Sequence, residues 1–270
     1  MKDVDQILVF DRLSVRKHRD RAARNFGTHS ALFTESADLL LERLNDIRQE
    51  FRTVLDLGAH TGQLAKHFSA QGEAPAVAAD ISEKMLATGL GSFHRVVADE
   101  ECLPFAPESF DLVISNLSLH WVNDLPGALL QIKNILRPGG LFLAAFIGGN
   151  SLPELRNCLL DAEIAVSGGA SPRFSPTITM ASASALLQRA GFSLPVTDME
   201  KITFVYPDAF ALMHELRGMG ETNAGQHRLR HFTRRAIFME MAKLYDERFA
   251  ATGGGVTAEF ELLFVHGVRS

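Results

Sequence analysis

Cysteine and net charge are both scarce in this sequence, and each shortage excludes a class of protein. The two cysteines, Cys102 and Cys158, lie far apart and outside any CxxC spacing, which predicts reduced structural thiols rather than a disulfide or a cysteine-bound metal. The ten histidines show no HExxH or paired ligand spacing, so no metal site is expected. A formal net charge of -5 gives no general attraction to nucleic acid.

Long apolar runs are missing as well. No stretch reaches the roughly 20 apolar residues of a membrane-spanning helix, and the opening MKDVDQILVF resembles neither a secretory signal nor a transit peptide. We therefore expect a cytoplasmic protein without a transmembrane segment. One local excess of charge comprises Arg12, Arg16, Lys17, Arg19, Arg21 and Arg24. This basic stretch could contact an acidic partner, although such charge runs are more typical of a solvated helix face.

Strand-like and helix-like segments alternate along the chain. Residues 30–47 place apolar side chains at helical spacing. The strand-like segments are residues 53–57, 76–80, 95–99, 110–116, 141–146, 197–206 and 257–268. Because helical patterns separate the earlier strands, we expect an α/β fold whose parallel sheet is covered on both faces. The predicted parts of this single domain, residues 1–270, are N-terminal helices (1–50), a cofactor-binding core (51–147) and a helical insertion or lid (207–252).

A glycine turn follows the first predicted strand, in the segment VLDLGAHTG at residues 54–62. A dinucleotide fingerprint needs glycine where His60 stands, which argues against NAD, and no G-K-[ST] follows to make a phosphate-binding P-loop. What remains is Asp56 before Gly58 and Gly62. An acid beside an anion-binding turn suits a ligand with a cationic group near its anionic one, such as an amino-acid moiety.

Two more acids end the next predicted strands. Asp80 ends the second strand, where a carboxylate can accept hydrogen bonds from the two hydroxyls of a ribose, and Asp99 ends the third. Taken singly, each acid could equally be a helix cap. Because the carboxyl ends of parallel strands meet in one crevice, the acids and the turn together predict an adenosine-plus-amino-acid ligand, S-adenosylmethionine.

A family resemblance rests on these segments and on longer ones. Through VLDLGAHTG, AADIS, ADEECLPF, FDLVISNLSLHWVND and LRPGG, the chain resembles class I S-adenosylmethionine-dependent methyltransferases. Through FDRLSVRKHRDRAA, SNLSLHWVNDLPGAL and VYPDAFALMHELRGMGETN, it resembles the methyltransferase-like assembly factors of mitochondrial complex I, a family of arginine hydroxylases, and their bacterial relatives. It is less closely similar to the malonyl-acyl-carrier-protein methyltransferases of biotin synthesis.

The resemblance implies a fold and a set of ligand contacts. The implied fold is a Rossmann-like, doubly wound sheet of seven strands in the order 3-2-1-4-5-7-6, with the last strand antiparallel, N-terminal helices and a helical insertion before the last strand. The implied contacts are Gly58 and Gly62 with the methionine and ribose, Asp80 with the ribose hydroxyls, Ile81 and Asp99 with the adenine, and Asn116 beneath the sulfonium.

The acceptor side carries several candidates. His120 and Trp121 follow Asn116 closely, so His120 is a candidate catalytic base and both could face the acceptor. The alternatives are a capped loop residue for His120 and a packing anchor for Trp121. Phe26 and Arg217 could cover the site as a lid, or they could be a core aromatic and a surface ion-pair residue. The sequence NLSL differs from the Asn-Pro-Pro-aromatic loop of nucleic-acid and glutamine methylases, which disfavours those substrates.

Methyl transfer to a small-molecule or protein acceptor is therefore the function that the sequence predicts. The alternative that stays open is an assembly or maturation factor for respiratory complex I, which hydroxylates an arginine of a subunit or acts as a non-catalytic S-adenosylmethionine-binding module. The resemblance implies a respiratory-chain subunit as a partner, and the mitochondrial matrix as the location in a eukaryote. No binding of nucleic acid is expected.

Overall fold

One mixed sheet organises the structure, a computed structural model that describes residues 8–72 and 75–270. Its strand order is β3-β2-β1-β4-β5-β7-β6. The strands are β1 (Val54–Leu57), β2 (Ala76–Asp80), β3 (His94–Val97), β4 (Phe110–Asn116), β5 (Leu136–Ile147), β6 (Phe192–Tyr206) and β7 (Val256–Arg269). Strands β1 to β5 pair in parallel, whereas β7 runs antiparallel to both β5 and β6. The predicted fold class and strand order are confirmed.

Helices cover both faces of the sheet. They are α1 (Arg12–Ala22), α2 (Ala31–Asn45), α3 (Gln63–Gln71), α4 (Glu83–Thr88), α5 (Leu125–Ile135), α6 (Pro153–Ser167), α7 (Met180–Arg189), α8 (Ala209–Met219) and α9 (Arg235–Phe249), with 3-10 turns at Ala23–Thr28 and Leu119–Trp121. Apolar residues of α2, α3, α6, α8 and α9 bury one face of the sheet, and residues of α5 and α7 bury the other. Across the described residues, no helix is long and apolar enough to cross a bilayer.

Strands β5 and β6 both begin five residues before their predicted positions, and β6 has an irregular start. The sequence pattern places its start at residue 197, whereas the strand begins at Phe192. Leu194 adopts a left-handed backbone conformation with φ 50°, and the pairing with β7 shifts register between Ser193 and Val196. The intervening Pro195 cannot donate a ladder hydrogen bond, and a proline inside a run argues against a strand, so the sequence pattern predicts a later start than the strand has.

Gly62 offers a test of how tightly the glycine turn is built. Its φ is 77°, and a Cβ atom added there would lie 2.5 Å from Cζ of Phe93. Gly62→Ala is therefore expected to lose about 1–2 kcal/mol of unfolding free energy from backbone strain and about 1–3 kcal/mol more from the clash. Gly168→Ala is the matched control, because Gly168 has φ 71° and open space around the added Cβ. Equal losses in urea-unfolding experiments on the two variants would contradict the tight packing at Phe93.

The start of α1 is fastened to a segment far along the chain. Phe10 forms an antiparallel bridge with Gly225, and both the Val9 and Phe10 amides donate to Asn123 Oδ1 at 2.8 and 2.7 Å. Asp11 caps α1 and also pairs with the Arg228 guanidinium at 2.9 Å. These contacts position α1 against the carboxyl edge of the sheet.

Candidate active site

The glycine turn lies between β1 and α3 at the carboxyl edge of the sheet. Gly58 and Gly62 both have positive φ, 69° and 77°, and the amides of Gly58 and Ala59 donate to the Ala79 carbonyl at 2.8 and 2.9 Å. A Cβ atom on Gly58 would lie 2.0 Å from Ser118 Oγ, so the segment after β4 packs directly against the turn. The structure thus brings the ends of β1, β2 and β4 together.

Two polar side chains face a small cavity beside this turn. Asp56 accepts a hydrogen bond from the Ala65 amide at 3.0 Å, and its burial raises the pKa of the carboxyl to about 7. Asn116 donates from Nδ2 to the Phe33 carbonyl at 2.8 Å, while its buried Oδ1 has no partner among the described residues. Both residues line a cavity of about 10 Å³. Asp56 and Asn116 Oδ1 are acceptors suited to an ammonium group.

The stack of rings over the turn explains this small volume. His60, the residue where a dinucleotide turn needs glycine, has φ 52°, and its ring stacks on Phe26 with centroids 5.5 Å apart. Phe33 contacts the same ring edge-on at 4.6 Å. Burial, and after it the charge of Arg19, lower the pKa of His60 well below its ordinary value, so the ring is neutral. Phe26 covers the turn as part of the buried core.

Asp80 is held by a guanidinium from α1. Arg19 Nη1 lies 2.8 Å from Asp80 Oδ2, and Arg19 Nη2 donates to Ser118 Oγ at 2.7 Å. The Asp80 carboxylate also accepts the His60 and Ser82 amides at 2.9 and 2.7 Å. Burial raises the pKa of Asp80, and Arg19 acts against that rise. Arg19 is only 1% exposed, so its guanidinium is shielded from solvent and its charge interacts mainly with this cluster.

The acid at the centre of this cluster is Glu100 rather than Asp99. Glu100 is fully buried, accepts the Ser118 hydroxyl at 2.5 Å and is paired with Arg12 and Arg19. Burial alone would raise the pKa of Glu100, but the two guanidinium groups outweigh it and lower the pKa to about 2. Asp99 binds Arg12 at 2.6 Å and keeps a third of its side chain exposed. Nothing in the run ADEE distinguishes Glu100 by sequence alone.

The basic stretch is thereby divided into two parts. Arg12 and Arg19 turn inward and pair with the acids at the sheet edge. For these two residues, the predictions of a solvated helix face and of a surface for an acidic partner are both wrong. The remaining basic side chains of the stretch are exposed, and they are Arg16, Lys17, Arg21 and Arg24. The reason is geometric, because a helix places residues seven positions apart on one face.

A larger cavity of about 230 Å³ lies beyond the end of β4. Its polar lining includes His120, Trp121 and Glu221. His120 Nε2 lies 3.0 Å from Glu221 Oε2, and the Trp121 indole N–H donates to the same carboxylate at 3.0 Å. Glu221 is brought here because Gly220, with φ 86°, ends α8 and the Glu221 amide caps it on the Leu216 carbonyl at 2.9 Å.

The remaining predicted residues lie outside the two cavities. Arg217 is exposed on α8, close enough to Arg21 that its charge helps burial lower the pKa of that guanidinium. It does not line the 230 Å³ cavity. Ile81 is half-buried and directly follows Asp80. The residues that sequence reasoning missed are Arg19, Glu100, Ser118 and Glu221. Glu221 follows a helix-ending glycine, but that pattern indicates the end of a helix and not a site residue.

Known proteins resemble this chain in sequence. Residues 55–144 match a family described as a methyltransferase domain. The chain is 36% identical over 264 residues to the mitochondrial arginine-hydroxylase NDUFAF5 of Danio rerio, covering 96% of this chain and 82% of that protein. It is 34% identical over 246 residues to malonyl-[acyl-carrier protein] O-methyltransferase of Xylella fastidiosa, covering 88% of this chain and 81% of that protein.

A solved structure shares the fold. Phosphoethanolamine N-methyltransferase 2 of Haemonchus contortus, in complex with S-adenosyl-L-methionine, superimposes with a TM-score of 0.56 at 16% identity, covering 94% of this chain and 60% of that one. At this identity the likeness shows the fold alone. It places the seven-stranded sheet described above among methyltransferase folds.

Proposed function

Because the chain belongs to the S-adenosylmethionine-dependent methyltransferases, we propose that it binds S-adenosylmethionine on the glycine turn and methylates an acceptor in the 230 Å³ cavity. The observation that carries this proposal is the meeting of Asp56, Asp80 and Asn116 around Gly58 and Gly62 at one sheet edge. When bound, the cofactor supplies an already activated methyl group, so the protein has mainly to align donor and acceptor and exclude water.

The donor and acceptor set fits this cofactor. Asp80 would accept the ribose hydroxyls, while Asp56 and the unpartnered Asn116 Oδ1 would accept the ammonium of the methionine part. Ile81 and Asp99 remain the residues predicted for the adenine. Since Arg19 holds Asp80 and Phe26 covers His60, binding requires α1 and the following turn to move away. Ligand binding and the position of α1 are therefore linked.

The cavity proposed for the acceptor favours a catalytic function over a non-catalytic binding module. A module would be expected to have its acceptor pocket blocked by Trp121 or Phe26. Trp121 instead lies in the wall of the 230 Å³ cavity, and Phe26 lies over the glycine turn. His120 in the same wall is the candidate base, and Trp121 the candidate acceptor contact.

A second candidate function comes from the similarity to an arginine hydroxylase. For this function the acceptor would be an arginine of a protein partner, and the resemblance implies a respiratory-chain subunit as that partner. The location would be the mitochondrial matrix in a eukaryote and the cytoplasm otherwise. No group of three His, Cys, Asp or Glu residues within 8–72 and 75–270 could hold a metal ion. Product mass separates the two reactions, since methylation adds a CH₂ unit and hydroxylation adds one oxygen atom.

Calorimetric titration with S-adenosylhomocysteine, beside NADH, tests the nucleoside site. Saturable binding of S-adenosylhomocysteine and none of NADH is expected. Asp80→Asn should weaken that binding at least tenfold, or about 1.4 kcal/mol, because an amide offers one acceptor oxygen where a carboxylate offers two. Asp198→Asn is the control, since Asp198 lies on β6 and pairs with Arg43 of α2. Unchanged affinity in Asp80→Asn, with the fold intact by thermal unfolding, would refute the ribose assignment.

A further inference from the structure

We infer that the 230 Å³ cavity selects an uncharged apolar molecule with a hydroxyl group, and that Glu221 prepares His120 to take the hydroxyl proton. The inference rests on the proposed function for its chemical step, but it makes a binding claim that can be tested without the cofactor. It depends on three observations: the hydrogen bonds of Glu221, the unpartnered nitrogen of His120, and the character of the cavity wall.

Glu221 fixes the tautomer of His120. An ionised carboxylate only accepts hydrogen bonds, and Glu221 already receives the indole N–H of Trp121 at 3.0 Å. His120 Nε2, 3.0 Å from Glu221 Oε2, must then carry a proton. In the neutral ring this leaves the lone pair on Nδ1, so Nδ1 is an acceptor.

That acceptor has no partner within the protein. His120 and Glu221 side chains are 6% and 5% exposed, and Nδ1 of His120 is buried with no hydrogen bond to any described residue. A buried polar atom left unpaired is costly, and here it belongs to a side chain that lines a cavity. Because Nδ1 itself has almost no accessible surface, a ligand in the cavity that donates a hydrogen bond would satisfy it once the ring has turned slightly towards the cavity.

The other residues of the cavity wall indicate the chemical character of the rest of that ligand. Most lining side chains are apolar, among them Leu152, Leu155, Leu159, Met213, Leu216 and Phe260. The volume lies just below the roughly 300–1,000 Å³ of pockets for drug-sized ligands, so a single ring or short branched chain fits. An apolar body with one polar head is the matching chemistry.

The charges in the wall favour a neutral head. Arg156 lines the cavity with its guanidinium over the Phe174 ring at 5.3 Å, and its buried Nε has no hydrogen-bond partner among the described residues. Arg173 also lines the cavity and is paired with Glu163 at 2.6 Å. These cations oppose a cationic head, and Glu221 opposes an anion beside His120.

The chemical step balances with the proposed cofactor. The acceptor oxygen would form its bond to the methyl carbon as the carbon–sulfur bond breaks, sulfur would keep that electron pair in the released S-adenosylhomocysteine, and the hydroxyl proton would pass to His120 Nδ1. Glu221 then stabilises the imidazolium through its hydrogen bond to Nε2, as a carboxylate does beside a catalytic histidine. The product is a methyl ether, and the proton leaves to solvent.

Fluorescence of the single tryptophan provides the test. Because Trp121 lines the cavity, its emission reports occupancy directly, with free N-acetyltryptophanamide as the reference for quenching. Four probes share one ring and differ in the head group: cyclohexanol, cyclohexanone, cyclohexylammonium and cyclohexanecarboxylate. Cyclohexanol is expected to bind at least tenfold more tightly than cyclohexanone, which accepts but does not donate, and more tightly than either charged probe.

Two variants and one control test whether the preference for the alcohol depends on Nδ1 of His120 or on packing in the cavity. His120→Phe should bring the alcohol-to-ketone ratio to about one, and Glu221→Gln, which releases the tautomer, should reduce it severalfold. The control is His29→Phe, since His29 forms a histidine–glutamate pair with Glu215 at 2.5 Å and does not line the cavity; its ratio should stay at the wild-type value.

Several results would overturn the inference. These are equal binding of alcohol and ketone, preference for a charged probe, binding of none of the probes, or discrimination that survives in both folded variants. Failure of the proposed function is a separate result: cyclohexanol would bind selectively while S-adenosylhomocysteine does not. Conversely, S-adenosylhomocysteine binding without selective binding of the alcohol would leave methyl transfer in place and refute only the cavity assignment.

Discussion

Replacing Arg19 by methionine is expected to lower the free energy of unfolding by about 3–5 kcal/mol and to tighten S-adenosylhomocysteine binding about tenfold. The loss of stability follows because Asp80 and Glu100, both fully buried, would lose a guanidinium that pairs with them at 2.8 and 3.5 Å. The gain in affinity follows because the ribose would no longer compete with Arg19 for Asp80. Urea unfolding and calorimetric titration measure the two effects.

The control for this variant is Arg21→Met on the same helix. Arg21 is exposed and contacts Thr222 at 3.3 Å, so its removal should change stability by less than about 0.5 kcal/mol and leave affinity unchanged. In the double variant Arg19→Met/Asp80→Asn, the two stability losses should not add, because the residues share one ion pair. Weaker nucleoside binding in Arg19→Met would show instead that Arg19 contacts the bound ligand, and would refute the competition.

Asp56→Asn is expected to raise stability and to weaken nucleoside binding. Burial raises the pKa of Asp56 to about 7 from an ordinary 3.8. The folded protein therefore keeps a proton that the unfolded chain loses, so this group makes stability fall as the pH rises from about 4 to about 7, with the loss complete above that range. An asparagine removes this loss, and we expect a gain on the order of 2 kcal/mol at pH 8, measured by urea unfolding against pH.

The affinity of Asp56→Asn should change in the opposite direction. Without an anion to face the ammonium, S-adenosylhomocysteine binding should weaken about tenfold, or about 1.4 kcal/mol. Asp111→Asn is the control, because the pKa of Asp111 is shifted in the opposite direction. Burial would raise that pKa, but hydrogen bonds from Arg137 and Thr53 outweigh burial and lower it. That variant should lose stability at neutral pH and keep its affinity. A pH profile of Asp56→Asn parallel to the wild type would contradict the buried-acid account.

Strands β1, β2 and β4 were predictable because they are short, mainly apolar runs that polar residues or glycine end. Strands β2 and β4 have the predicted bounds, Ala76–Asp80 and Phe110–Asn116. Their carboxyl ends carry Asp80 and Asn116, so the sheet edge followed from the pattern alone. The strand order and the antiparallel last strand came from family resemblance, since nothing in a strand's own pattern specifies which neighbour it pairs with.

The contacts across the site were not predictable from local pattern. Arg19 and Asp80 are separated by 61 positions, and His120 and Glu221 by 101. An arginine in a basic helix and a glutamate after a helix end are both typical of solvated surface. What makes them buried is the packing of α1 and α8 against the sheet edge, which is a property of the tertiary fold.

The fastening of α1 has a consequence for the order of events during synthesis. Asp11 and Arg228 are 217 positions apart, so the ribosome must complete nearly the whole chain before that pair can form. Strands β1 to β5 end at Ile147, and the earlier part of a chain folds while the rest is still being made. A nascent chain of that length holds the complete glycine turn without the late segment that fastens α1. At that stage the contacts of α1 and its start with Asn123 and Asp80 can form, whereas those with Gly225 and Arg228 cannot, so α1 is secured in two steps.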